Sequence, residues 1–117
     1  MIKTVGLFEL PTDLDPDLFW RQHVISHADE IARQGGDLLK GYVISRVASP
    51  LVGDPRFWGM VELWFEDEAA RAEFDRVTDE SRFGEAETHF EQYVRNFSAV
   101  EVQSHVVITP EDLAANG

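Results

Sequence analysis

Asp15–Gly36, DPDLFWRQHVISHADEIARQGG, is the stretch whose reading decides the fold. It opens with the chemistry of a helix start. Asp15 suits the N-cap, Pro16 the first helical position, and Asp17 adds a carboxylate where the helix dipole is positive. Gly35 and Gly36 supply an αL stop just after Gln34. Between these ends Phe19, His23 and His27 recur four apart, so a regular helix stacks them along a single stripe. Two histidines on a stripe usually filled by leucine point to a site for a small molecule.

On the N-terminal side, residues 2–10 read as a strand through Ile2, Val5, Leu7 and Phe8, and Pro11 ends it. On the C-terminal side, residues 38–47 (LLKGYVISRV) read as a second strand. A loop punctuated by Pro50, Gly53 and Pro55 follows, and a third strand starts at Phe57 (FWGMVELWFED). The run EDEAARAEFDRVTDE then switches to helical composition, with Ala69, Ala72, Phe74 and Val77 on or near one face. Ser81 to Gly84 is expected to interrupt it. A further helical stretch, GEAETHFEQYVRNF, spaces Phe90, Tyr93, Val94 and Phe97 as an apolar stripe. The last strand is expected in AVEVQSHVVI, which gives a single domain over residues 1–109 and a tail over 110–117.

The order β-α-β-β-α-β is the ferredoxin-like arrangement, an α+β fold with a four-stranded antiparallel sheet and its helices on one face. The third strand is apolar on both sides. Parity sets Phe57, Val61, Leu63 and Phe65 against Trp58, Met60 and Trp64, and a strand apolar on both sides calls for cover on both. A chain of 117 residues has nothing left to cover the second face, so a symmetric homodimer packed sheet to sheet is expected.

Composition removes several classes of function. Ten basic against twenty-two acidic residues give a net charge of −12, which leaves no basic footprint for nucleic acid and repels an anionic membrane surface. The absence of cysteine excludes disulfides, thiolate zinc sites and cysteine nucleophiles, and it fits a reducing cytoplasm. No apolar run approaches the roughly 18 residues of a membrane helix, and MIKTVGLFEL has no signal-like core. No GxxxxGK[ST], GxGxxG or GxSxG motif occurs, so nucleotide binding, hydride transfer and serine hydrolysis lack support.

Phe19, His23 and His27 on the first helix, followed by GYVISRV, resemble the EthD-like proteins of the dimeric α+β barrel superfamily. WGMVELWFEDEAARAEF is similar to that family's third strand and following helix, and VQSHVVI to its closing strand. The resemblance implies a dimeric barrel that binds small, often aromatic or lactone-like molecules between helices and sheet. It also implies one of several chemistries: isomerisation, polyketide cyclisation, dehydration, cofactor-free oxygenation or, in some members, haem binding. The family commonly has tryptophan where this chain has His23, and proline where it has Asp29. It often has aspartate where this chain has Trp58. These departures bear on substrate class more than on fold.

His27 is the leading candidate for proton transfer, because imidazole is the side chain whose ordinary titration falls near neutrality. The plainer reading is a core-edge histidine bonded to a backbone carbonyl. His23 is a second proton carrier or a pocket wall. A metal held by the pair would need the glutamate of histidine-bearing zinc helices, which is missing, so no metal is expected. Glu62, mid-strand, either acts as a base or orients a histidine, or else pairs with Arg46 or across the dimer. Tyr42 can donate a proton or a hydrogen bond. Trp58 and Trp64 offer flat faces and share one side with Glu62 by parity. His89 and Tyr93 complete the candidate substrate-binding set.

The first functional expectation is an isomerase, lyase or cyclase running on side-chain acid/base chemistry, with His27 central and His23, Tyr42 or Glu62 assisting. The second is a monooxygenase, cofactor-free or with haem held by a histidine. The third is a dimeric binding or accessory protein without catalysis.

Overall fold

The structure, a computed structural model, describes residues 1–10, 13–82, 95–109 and 111. Strand β1 (Ile2–Glu9) leads into α1 (Pro16–Phe19), a π-helical turn (Trp20–Ile25) and α2 (Ser26–Gly35). After a 3-10 turn (Gly36–Leu38) come β2 (Leu39–Arg46), β3 (Gly59–Phe65), α3 (Glu68–Arg82) and β4 (Arg95–Val102). The sheet order is β2-β3-β1-β4 with every pairing antiparallel, so the chain has the expected ferredoxin-like α+β fold.

The first helix starts as its sequence dictates. The Asp15 carboxylate accepts the Leu18 N–H at 3.0 Å, with Pro16 following the cap. Its middle does not follow the expected regular spacing. The π turn adds a residue to the helical repeat, so the buried positions are Phe19, Val24 and Ile31, five and then seven apart. The buried stripe thereby passes from His23 to Val24, and both histidines sit half-buried along its edge. Inside the turn the Ser26 hydroxyl donates to the Arg21 carbonyl at 3.4 Å.

Two apolar clusters join helices to sheet. Phe8, Phe19 and Val24 form one, and Ile31, Phe65 and Phe74 form the other, with Phe65 and Phe74 rings 5.2 Å apart. Thr78, buried on α3, donates its hydroxyl to the Phe74 carbonyl at 2.9 Å and leaves no polar cost there. The strand register puts Phe8 with Gly59, Gly6 with Val61 and Ile2 with Phe65 on the helix side. Val5, Leu7, Met60 and Trp64 then lie on the outer side by alternation. Val43 and Val100 share that outer side and are 45% and 57% exposed, so among the described residues an apolar sheet face is left uncovered.

Strand parity fails at the start of β3. Trp58 precedes the strand and lies on the helix side, not with Trp64, while Phe57 is 38% exposed rather than in the core. The cause is Phe8, whose ring fills the space above Gly59 so closely that a Cβ there would come within 2.1 Å. Trp58 instead ties its neighbours together, its N–H donating to the Phe8 carbonyl at 2.8 Å and its carbonyl accepting from Val47 N–H at 2.7 Å.

Three other boundaries differ from expectation. Helix α3 continues through Ser81 to Arg82 without a break at Ser81. Of the second helical stretch, residues 84–94 lie outside the described residues, whereas Arg95–Phe97 belong to β4. Phe97 there stacks on Phe8 at 6.4 Å, and Asn96 takes the positive φ of 50° beside the shift in register between Leu7 and Glu9. Finally, β4 ends at Val102 rather than running to Ile108. Val102 pairs with Lys3, the second residue of β1, so only Ile2 of that strand lies beyond the last pair.

Candidate active site

The site is built where the first helix crosses the sheet. Phe19 is completely buried and touches His23 at 5.8 Å and Trp58 at 5.7 Å between ring centroids. Trp58 also meets Phe8 at 6.1 Å and Trp20 at 6.0 Å, both edge to face. The half-buried imidazole of His23 therefore sits on an aromatic floor made by the helix and the lead-in to β3. His27 opens α2 one turn further on, also half-buried.

Tyr42 stands on the helix side of β2, opposite Leu63, and packs against the Ile31–Phe65–Phe74 cluster. Burial, with the Asp29 carboxylate adding to it, pushes its hydroxyl up to about 12. The phenol stays protonated at any physiological pH, which leaves it able to donate a hydrogen bond and unsuited to act as a base.

Two candidates fall elsewhere. Glu62 and Trp64 are on the outer side of the sheet, which lies between them and the histidines. The Glu62 carboxylate binds Lys3 Nζ at 2.7 Å and not Arg46, and Lys3 lies 4.8 Å from the centre of the Trp64 ring. Arg46 shares the helix side with Tyr42, where it reaches Asp17 at 2.8 Å and stacks over Trp20 at 5.2 Å. His89 and Tyr93 lie outside the described residues.

The structure thus brings Phe19, His23 and Trp58 together, with Tyr42 on the same side of the sheet, and separates Glu62 and Trp64 from them. Sequence reasoning did not place Trp20, Arg46 or Asp29 on this side of the sheet. Alternation along β2 from Tyr42 could have placed Arg46 on the helix side. Trp20 and Asp29 could not be placed without the π turn. Among the described residues no three histidine, aspartate or glutamate side chains gather as a metal set, and no helix is long and apolar enough to cross a membrane.

No family's sequence model and no curated protein matches the chain. Solved structures do. A DABB family protein with a ferredoxin-like fold from Mesorhizobium loti superposes with a TM-score of 0.66 at 14% identity, over 90% of this chain and 97% of that one. An ethyl tert-butyl ether D (EthD) family protein from Bacillus halodurans gives 0.59 at 14% identity, over 90% and 99%. A variant of MhuD with two manganese protoporphyrin IX molecules bound per active site gives 0.63 at 15% identity, over 93% and 99%. The resemblance read from Phe19, His23 and His27 is met by these matches: the chain has the ferredoxin-like fold of the EthD and DABB family proteins.

Proposed function

We propose that the chain is a small-molecule enzyme that works by side-chain acid/base chemistry. His27 transfers the proton, His23 assists, and Tyr42 donates a hydrogen bond to substrate oxygen. Trp58, half-buried and backed by the fully buried Phe19, provides a flat apolar wall for an aromatic, polyketide-like or lactone-like substrate. One observation carries this reading: two half-buried imidazoles lie on one helix, the first in ring contact with Phe19, which in turn touches Trp58. Half-burial leaves each ring reachable by a ligand while the aromatic floor limits water, and proton movement alone can drive isomerase, lyase or cyclase reactions. Glu62 and Trp64 take no part in this site, because they lie across the sheet.

A haem-linked or cofactor-free oxygenase is the second reading. The donor chemistry suits a haem: His23 or His27 could supply the nitrogen ligand, and Trp58, backed by Phe19, the flat apolar contact. The fold neighbour that carries manganese protoporphyrin IX supports including it.

The working unit in this reading is a homodimer packed through the outer sheet face, which removes Val43, Val100, Met60 and Trp64 from water. Sedimentation at micromolar concentration tests it; a strictly monomeric chain contradicts it.

The test of function is a thermal-shift panel of aromatic, polyketide-like and lactone compounds plus haem, run on wild type and His27→Ala. A ligand that stabilises the wild type, is weakened by the substitution and is turned over only by the wild type supports the enzyme. A Soret band lost in a histidine variant moves the reading to haem. Binding without conversion favours the accessory protein, and an equal response of both proteins removes His27 from the site.

A further inference from the structure

For a chain of net charge −12, the outer sheet face is unusual in that, among the described residues, the charges on its paired strands cancel. Lys3 and Glu62 stand together on it, and at its rim Glu9 lies opposite Arg95. β1 and β3, which carry Lys3 and Glu62, are the two inner strands of the sheet. The ion pair, 2.7 Å long, therefore sits between Val5, Met60 and Trp64 with side chains 25% and 19% exposed. It is also fixed in place. Lys3 Nζ lies 4.8 Å from the centre of the Trp64 ring, and that ring lies flat across Gly41, where a Cβ would meet it at 2.7 Å.

We propose that Lys3 and Glu62 are the register lock of the contact between two copies of this chain, each lysine meeting the other copy's glutamate as well as its own. The inference rests on the sheet-to-sheet dimer and names what aligns it. A two-fold contact presents one surface to itself, so a side-by-side positive and negative group is complemented by its own copy turned about the axis. The groups have capacity for this, since an ammonium carries three donors and a carboxylate about four acceptor positions. Apolar contact alone is non-directional and would tolerate sliding. Sliding here would bury each ion pair against valine or tryptophan with its remaining donor and acceptor positions unmet, which is costly. The pair therefore contributes alignment more than strength. A second copy is the occupant that fits, because only a surface whose charges cancel lets two chains of −12 approach closely. A basic partner would be drawn to the acidic helices instead.

The deciding experiment reverses the pair. The double variant Lys3→Glu/Glu62→Lys keeps the ion pair within each chain with opposite polarity. It is mixed with isotope-labelled wild type, allowed to exchange subunits and weighed by native mass spectrometry. Both parents should be dimers, but the mixed dimer, in which like charges meet, should fall from the statistical half to under about a tenth. Statistical mixing of two dimeric parents overturns the lock and leaves the dimer standing. A monomeric wild type overturns the dimer and the lock with it. Should the reversed protein not fold or not dimerise, Glu62→Gln decides: dimer dissociation about 10-fold easier or more is expected, and an unchanged constant overturns the lock.

Discussion

Phe19 and Trp58 meet with ring centroids 5.7 Å apart, a contact that joins the first helix to the residue just ahead of β3. Phe19 is fully buried and Trp58 half-buried, so the two halves of the contact should fail differently. Phe19→Ala leaves a cavity beside Phe8 and Val24 and should cost about 3–5 kcal/mol in a denaturant titration. Trp58→Phe retains a ring at the junction and should cost less than half as much while weakening any flat ligand. Equal losses of stability would show that the floor is core alone.

The start of the same helix is held by Asp15, whose carboxylate accepts the Leu18 N–H at 3.0 Å. Asp15→Ala should cost about 1 kcal/mol, the ordinary price of a lost cap. Arg46 tethers the helix a second way through Asp17, but Asp17 is 73% exposed there. Arg46→Ala should therefore cost under about 1 kcal/mol, unless its stacking on Trp20 adds to the pair. Thermal unfolding of the two variants side by side orders them.

Tyr42 gives a prediction in pH. Its hydroxyl is raised from 10.0 to about 12 by burial, with Asp29 adding to it. The folded chain therefore holds that proton more tightly than the unfolded one. The contribution is whole below about pH 10 and is lost as pH climbs through 12, a fall on the order of 2 kcal/mol. Tyr42→Phe should remove this part of the alkaline decline. The chain has two tyrosines, so the difference in phenolate absorbance between wild type and Tyr42→Phe isolates the late-titrating one. A difference curve centred near 10 would contradict the buried placement.

Element order was readable because each segment announces itself locally. Asp15 and Pro16 start a helix by cap chemistry, and the mixed apolar pattern from Gly59 to Phe65 fits a strand packed on its helix side. What escaped were features set by contacts distant in sequence. The Phe8 ring displaces Trp58 from strand parity, and β4 stops where only Ile2 of β1 lies beyond the last pair. Arg95–Phe97 carry a helical spacing, yet pairing with β1 and stacking on Phe8 make them strand. The elements that carry the candidate residues were legible, and the residues' orientation was not. The histidine stripe presumed a regular repeat, and the π turn moved its buried line onto Val24. Glu62 was expected either to act as a base or orient a histidine, or to pair with Arg46 or across the dimer, and its partner is instead Lys3 on the adjacent β1.

His23 allows packing and chemistry to be separated in one position. Its ring lies 5.8 Å from that of Phe19, half-buried at the edge of the buried stripe. His23→Phe keeps an aromatic ring in that contact and removes both nitrogens, so the fold should hold within about 1 kcal/mol of wild type. If the imidazole carries a proton or ligates a cofactor, turnover or the haem spectrum should fall by about 10-fold or more, the scale on which general acid/base groups contribute. Ligand affinity should change little, because the flat wall remains. His23→Ala should lose wall and nitrogen together, and both affinity and turnover with them. The pattern to look for is a phenylalanine variant that binds but does not convert. A phenylalanine variant that converts as fast as wild type would make His23 a wall and leave the proton to His27 alone.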